Sequence, residues 1–200
     1  MICPHCGDPL CTLGYACPRN PARFAHDVHM PGEGSYIDPT AIMRRPQLCR
    51  VGKRSNVDAG FLCTAALEVG DYCHIAPHVV VIGGERGRLT MAHFSTLGAH
   101  STVVTASEVY DGLYGPTIPA ELRSVKAEPV TFEPMAAVTT SCTILSGVTL
   151  GMGCVIGAGS VVTKSTEPWG IYVGVPARKV GERPRGKCLE SARKLGYEFA

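Results

Sequence analysis

An aliphatic residue recurs at every sixth position along most of this chain, and that period restricts the fold more than any other feature. The register begins at Ile37 and Met43, shifts by two residues, and runs through Val51, Val57, Cys63, Val69, Ile75 and Val81. Four extra residues around Gly83, Gly84 and Gly87 precede its return at Met91, Leu97, Val103 and Val109. After an interruption from about Tyr110 to Thr131 it resumes at Phe132, Val138, Ile144, Leu150, Ile156 and Val162. A step of six fits neither the 3.6-residue period of a helix nor simple strand alternation, so each hexad must hold one short strand and one corner. Three such sides close a triangular coil. Stacked coils let each strand hydrogen-bond to the coils above and below, while the aliphatic residues fill one interior column. The eighteen positions imply about six coils, an all-β solenoid. The alternative, a β-sandwich whose strands share one spacing, is disfavoured by the length over which the register persists.

Composition supports short strands and many turns. Hydrophobic residues make up 45% of the 200 positions but aromatics only 6%, so the core must be filled by small and aliphatic side chains. The 23 glycines and 15 prolines supply the corners. A formal net charge of +2 argues against a nucleic-acid partner held by broad phosphate neutralisation. Apolar runs are broken well short of the ~20 residues needed to cross a bilayer, so no membrane span is expected. The opening Met1-Ile-Cys-Pro-His-Cys6 lacks a basic segment followed by an apolar run, which makes a reducing, cytoplasmic compartment the expectation.

In that compartment the 10 cysteines read as metal ligands, buried small residues or thiols before they read as disulfides. Cys73, Cys142 and Cys154 fall at the fifth position of their hexads and Cys63 at a first position, all inward slots. Four others, Cys3, Cys6, Cys11 and Cys17, crowd a segment spanning 1–34. Cys3-Pro-His-Cys6-Gly has the form of a zinc knuckle, with His5, His26 or His29 able to replace one cysteine; a loosely ordered reduced segment is the alternative. The β-helix is expected over 35–182, with an extruded loop at 110–131. Within 183–200, Leu189, Ala192, Leu195 and Phe199 recur at helical spacing and imply a short packing helix.

From Lys164 to Lys187 the chain carries Lys164, Arg178, Lys179, Arg183, Arg185 and Lys187 against Glu167 and Glu182. Such a cluster suits a phosphate-bearing ligand, or else forms a solvated basic edge.

The stretch from Ile144 to Lys164, containing Gly157-Ala-Gly-Ser160, and its continuation to Gly174-Val-Pro-Ala177 and Arg178 resemble the hexapeptide-repeat acyltransferases. That family includes sugar O-acetyltransferases, xenobiotic acetyltransferases and nucleotide-sugar N-acetyltransferases. The resemblance covers about residues 36–185. It implies a left-handed parallel β-helix, a homotrimer with sites between neighbouring helices, and acetyl-CoA as co-substrate along the outside of the coils. The implied reaction is acetyl transfer to a hydroxyl or amino group of a sugar, nucleotide sugar or surface-polysaccharide precursor. Under this resemblance Gly157 and Ala158 let the pantetheine arm approach the backbone, and Lys164, Arg178 and Lys179 meet the phosphates. Trp169 either stacks on the adenine or packs against the last coil.

Direct attack on a thioester requires an acceptor for the proton, alignment of both substrates and donors for the oxyanion. Xenobiotic acetyltransferases set a histidine just before an Asp-Gly in the extruded loop. Here Ala106-Ser-Glu-Val-Tyr-Asp-Gly112 carries Glu108 at that place. His74, at an outward sixth position, ranks ahead of Glu108 as the base. The segment His74-Ile-Ala-Pro-His78, followed by Gly83-Gly84, also resembles a subgroup linked to surface-polysaccharide and amino-sugar acetylation. An amine arriving neutral needs no enzymic base. Asp111, Tyr114 and Arg123 in the extruded loop are expected to meet the acceptor. His78, His93 and His100 fall at corners and are expected to be exposed. Two rivals stand beside this reading. A γ-carbonic-anhydrase-like zinc enzyme shares the solenoid, but its close histidine pair is not evident in His74, His93 and His100. A non-enzymatic trimeric scaffold leaves the basic cluster and long loop without a use.

Overall fold

The computed structural model describes residues 31–115 and 117–199. Cys3, Cys6, Cys11 and Cys17, and with them the expected zinc knuckle, lie outside the described residues. The rest forms a left-handed parallel β-helix with three flat faces. The seven-rung face stacks Tyr36–Ile37, Asn56–Val57, His74–Ile75, Thr96–Leu97, Ala137–Val138, Val155–Ile156 and Gly170–Val173. Arg178–Glu182 caps that stack by antiparallel pairing with Gly170–Val173. The six-rung face stacks Ile42–Met43, Leu62–Cys63, Val80–Ile82, Thr102–Val104, Thr143–Ile144 and Val161–Val162. The five-rung face stacks Cys49–Val51, Ala66–Val69, Arg88–Met91, Val130–Phe132 and Thr149–Leu150, and Pro31 already bridges to Val51 below them.

The hexad register explains this packing position by position. First positions from Met43 to Val162 point inward and are buried, with Val109 the exception. Ile37 is partly buried against the same core at the open end. Fifth positions of the regular hexads also point inward and are mostly small, with Phe61 and Leu67 the large exceptions. Cys73, Cys142 and Cys154 lie there buried, as expected, beside Ser55, Ser101 and Ser160. Each of these serines satisfies its hydroxyl against the backbone. Ser55 Oγ donates to Gly70 O at 2.8 Å and accepts from Cys73 N at 2.9 Å, joining adjacent coils. Fourth positions turn the corner in the left-handed region, as at His78 (φ 59°), His100 (φ 57°) and Trp169 (φ 62°).

Val109 does not occupy a slot. After Val103 the chain leaves the stack as an antiparallel hairpin, Ala106–Val109 against Ser124–Ala127, and Val109 pairs with Ser124 outside the core. The core step runs instead from Val103 to Phe132. At the other end Tyr172 pairs with Ile156 and packs on the core, adding a rung that lacks a hexad signature. The seven rungs of the longest face make about seven turns where the register implied six.

All three breaks in the register fall at one corner, where the six-rung face turns into the five-rung face. The two-residue shift is the 3-10 turn at Pro46–Leu48, the four-residue insertion is the loop around Gly83–Gly87, and the long interruption is the hairpin. Insertions are tolerated at a corner because they leave the ladder of each face intact. The fold thus carries one irregular ridge and two smooth corners.

The expected C-terminal helix is Gly186–Lys194, with Ala192 buried. Leu195 and Phe199 lie beyond its end. Gly196 (φ 84°) stops it, with Gly196 N donating to Arg193 O at 2.9 Å and Tyr197 N to Ala192 O at 3.0 Å. This turn aims Tyr197 at the coils, where its hydroxyl donates to Asp71 Oδ2 at 2.6 Å. Among the described residues no helix is long and apolar enough to cross a membrane.

The inward placement of Ile144 and the exclusion of Val109 make opposite predictions. Ile144→Ala should lower the unfolding free energy in urea by about 2–5 kcal/mol through lost burial and a cavity. Val109→Ala should cost less than about 1 kcal/mol. Similar losses at both positions would contradict the assignment of the hairpin.

Candidate active site

His74 begins the third rung of the seven-rung face at a sixth position, so its side chain points outward while Cys73 and Ile75 on either side point in. Its ring leans along the face toward the next corner, and Nε2 lies 2.8 Å from Asp58 Oδ2. Asp58 follows Val57 one coil below, at the end of the neighbouring rung. The imidazole side chain is 45% exposed and the aspartate 27%, so the pair is ordered but open to a ligand. An ionised carboxylate only accepts hydrogen bonds, so the hydrogen of the neutral ring sits on Nε2. Nδ1 then carries the free lone pair of a ring that is partly exposed. Sequence reasoning missed Asp58. The signal was present, because a coil spacing of 18 residues from Val57 to Ile75 puts the two side chains on adjacent rungs.

Glu108 lies elsewhere. It sits in the first arm of the hairpin, where its Oε1 accepts from Arg123 Nη1 in the second arm at 2.6 Å. Glu108 Oε2 and Arg123 Nε are buried without partners. The hairpin departs from the corner opposite the seven-rung face, so one chain does not bring Glu108 and His74 together. Asp111 and Tyr114 stand at the exposed hairpin tip, Tyr114 edge-on to Tyr110 at 5.1 Å between ring centroids. Arg123 comes just before Ser124, the last residue paired with the first arm, and its guanidinium is held by Glu108.

The residues expected at the donor divide between two corners. Gly157 and Ala158 turn the corner between the seven-rung and six-rung faces, on the side toward which His74 leans. There Gly157-Ala-Gly-Ser160 and Gly174-Val-Pro-Ala177 interlock. Gly157 N donates to Tyr172 O at 2.8 Å, Gly174 N to Ser160 Oγ at 3.0 Å, and Ala177 N to Val161 O at 2.8 Å. Lys164 is exposed just beyond Val162. Trp169 lies on the other smooth corner, its ring against Gly153, where an added Cβ would come within 2.3 Å of it. Packing on the last coils accounts for that ring. Lys179 is clamped between Glu167 at 2.7 Å and Glu182 at 3.2 Å, and its hydrogen bond to Glu167 is the main cause that raises its pKa. Arg183 donates to Met135 O at 3.0 Å and Gly153 O at 3.3 Å, which ties the tail to the coils. Arg178, Arg185 and Lys187 remain exposed, with no ion-pair partner among the described residues.

Two of the buried thiols, Cys154 and Cys73, are not built as nucleophiles. Burial pushes the Cys154 thiol up to about 11 and raises that of Cys73, which disfavours the thiolate. Nor do the histidines converge. His74 faces Asp58, His93 Nδ1 accepts from Asp71 N at 2.9 Å, and His100 stacks on His78 at 5.2 Å. As expected, His78 and His100 are exposed at a corner. Among the described residues no three His, Cys, Asp or Glu side chains form a metal-holding group.

No family model matches the chain. It is 29% identical over 62% of its length to a dTDP-4-amino-4,6-dideoxy-D-glucose acyltransferase of Escherichia coli, and 30% identical over 56% of its length to the putative lipopolysaccharide biosynthesis O-acetyl transferase WbbJ of E. coli K12. The chain spans 64% and 55% of the lengths of these two curated relatives. Among solved structures it matches AntD, an N-acyltransferase from Bacillus cereus, in complex with dTDP and 3-hydroxybutyryl-CoA. The TM-score is 0.74 at 30% identity, covering 82% of this chain and 90% of that one. The interlocked corner signature, the hexad register and these similarities converge: the chain belongs to the hexapeptide-repeat acyltransferases.

Proposed function

We propose that the chain transfers an acyl group from a CoA thioester to an amino or hydroxyl group of a sugar, a nucleotide-linked amino sugar being the first acceptor to test. The observation that carries this reading is the His74–Asp58 pair, which presents Nδ1 as a bare base on an outward face. The N-acyltransferase and O-acetyl transferase among the relatives support the class of reaction. In this reading the thioester runs along the corner where Gly157 and Ala158 leave the backbone accessible. His74 lies three rungs below Gly157, ~14 Å at the usual spacing between strands, so the donor arm and the base share one side of the molecule. The acceptor's nitrogen or oxygen attacks the thioester carbonyl and forms the new bond to carbon. Its proton passes to His74 Nδ1, the carbon–sulfur bond breaks, and the departing thiolate is protonated by the imidazolium or by water. Asp58 fixes the ring and stabilises the imidazolium as it forms.

The reading includes a homotrimer. The hairpin leaves from the corner opposite His74, so the His74 site it would cover belongs to an adjacent copy. The outward side of the six-rung face gives such copies a surface to pack on. It presents Ile42, Leu62, Val80, Ile82, Val104, Leu145 and Val161, with Arg44 as the only charge at these outward positions.

His74→Ala should lower kcat by about a hundredfold or more in an assay of thiol release from acetyl-CoA, with CoA affinity nearly preserved. Asp58→Asn should cost about tenfold and alter the pH profile, because the amide no longer fixes the tautomer. Glu108→Gln should cost less than His74→Ala. Near-normal kcat for both His74→Ala and Glu108→Gln on an amine would leave neither as the base and favour attack by a neutral amine. Sedimentation equilibrium should give three chains per particle, and Leu62→Glu should shift the protein to monomer with loss of activity. An active monomer would overturn the oligomeric part of the proposal.

A further inference from the structure

The C-terminal helix does not close fully on the coils beneath it. Between the helix and the corner that leads from the five-rung into the seven-rung face lies a cleft of about 570 Å³, within the size range of small-molecule sites. Phe94 and Met135, on adjacent coils of that corner, make its floor, and Met135 N donates to His93 O at 3.0 Å to hold the two turns together. Ser191 and Ala192 of the helix and Leu195 just past its end form the opposite wall. Leu195 stays 49% exposed although it lines the cleft, so half of its surface is still open to an apolar partner.

The other end of the cleft is cationic. Arg183 and Lys187 line it, and no aspartate or glutamate does. The carbonyls of Met135 and Gly153 hold Arg183 Nη1 in place without neutralising the guanidinium. The acids nearest in sequence are engaged elsewhere, Glu182 with Lys179 at 3.2 Å and Glu190 with Lys194 at 2.7 Å. From Lys187 to Leu195 the distance is ~12 Å at the helical rise, which is the reach of one medium-length aliphatic chain. A wholly polar anion would leave the apolar floor wet. A neutral lipid would cover both cations without supplying a counter-charge.

We propose that this cleft binds a small amphipathic anion, an aliphatic chain ending in a carboxylate or a phosphate ester, with its head on Arg183 and Lys187 and its tail over Phe94 and Met135 toward Leu195. The site is separate from His74 and from the corner of Gly157 and Ala158, and it does not depend on the acyl-transfer reading. Its ligand would bridge the tail and the coils, adding to the tie that Arg183 already makes.

The test is calorimetric titration of the full chain with octanoate and with octyl phosphate, against 1-octanol as the tail without a charge and acetate and inorganic phosphate as heads without a tail. The expected result is saturable binding of at least one octyl anion, one per chain, with every control at least about tenfold weaker, the scale of one lost charge-assisted contact. The tighter of the two octyl anions tells which head the site takes. Lys187→Glu should weaken binding by about tenfold or more, and Ser191→Trp, which puts an indole into the cleft, should abolish it. Both positions are exposed, and thermal melting without ligand checks that the fold is kept. Should Ser191→Trp melt early, Leu195→Glu carries the comparison. The proposal is overturned if neither octyl anion binds saturably, if octanol binds as tightly as the anions, or if folded variants keep wild-type affinity. Displacement of the bound anion by CoA also overturns it, because the cleft would then belong to the acyl donor.

Discussion

Backbone hydrogen bonding from coil to coil is the constraint on which the rest of the molecule depends. Each rung of two to four residues is too short to stand alone, and its amide and carbonyl groups are satisfied by the rungs above and below. The ladder fixes the rise of the stack, and the aliphatic column then fills an interior whose width the ladder has set. Side chains at the sixth position are consequently placed outside with a regular vertical spacing. His74 and Asp58 meet because the ladder brings Val57 beside Ile75, not because a loop has been shaped to hold them. A side-chain pair built this way inherits the rigidity of the whole stack.

The same constraint decides where the molecule can vary. Faces cannot accept an extra residue without losing a rung, whereas a corner can extrude any length of chain and return. Confining the 3-10 turn, the short loop and the hairpin to one corner leaves the other two clear. One clear corner carries the interlocked signature and the histidine stack; the other carries Tyr72, Phe94 and Trp169 and receives the C-terminal helix. The triangular cross-section is thereby divided into a variable ridge, a corner that carries the interlocked signature, and an anchoring corner.

Much of this was legible in the sequence because a period of six leaves few alternatives once it has persisted for several coils. Cys73, Cys142 and Cys154 could be placed inside from their register alone. The reading failed where periodicity and topology part. Val109 keeps the step of six by numerical accident while the chain has already turned outward, and only the pairing of Glu108 with Val125 reveals the hairpin. Asp58 was missed because a face-to-face contact between coils requires comparing positions about 18 residues apart rather than within one hexad. Charge counting in the basic cluster also leaves out where the individual charges go. Charge counting cannot see that Lys179 is spent on Glu167 and Glu182, or that Arg183 is spent on backbone carbonyls.

The C-terminal strap alters the mechanical character of the solenoid. A repeat stack is ordinarily a one-dimensional object, in which each coil knows only its neighbours and the ends fray independently. Here the tail doubles back from the last coils. Arg183 grips Met135 and Gly153, and Tyr197 reaches Asp71 across 126 residues of sequence, with Lys53, His93 and Phe94 around its ring. The final residues of the chain are therefore bolted to coils that form near its beginning. Opening any coil between these anchor points strains one common tie, so the stack responds as a closed frame rather than as a row of separable leaves.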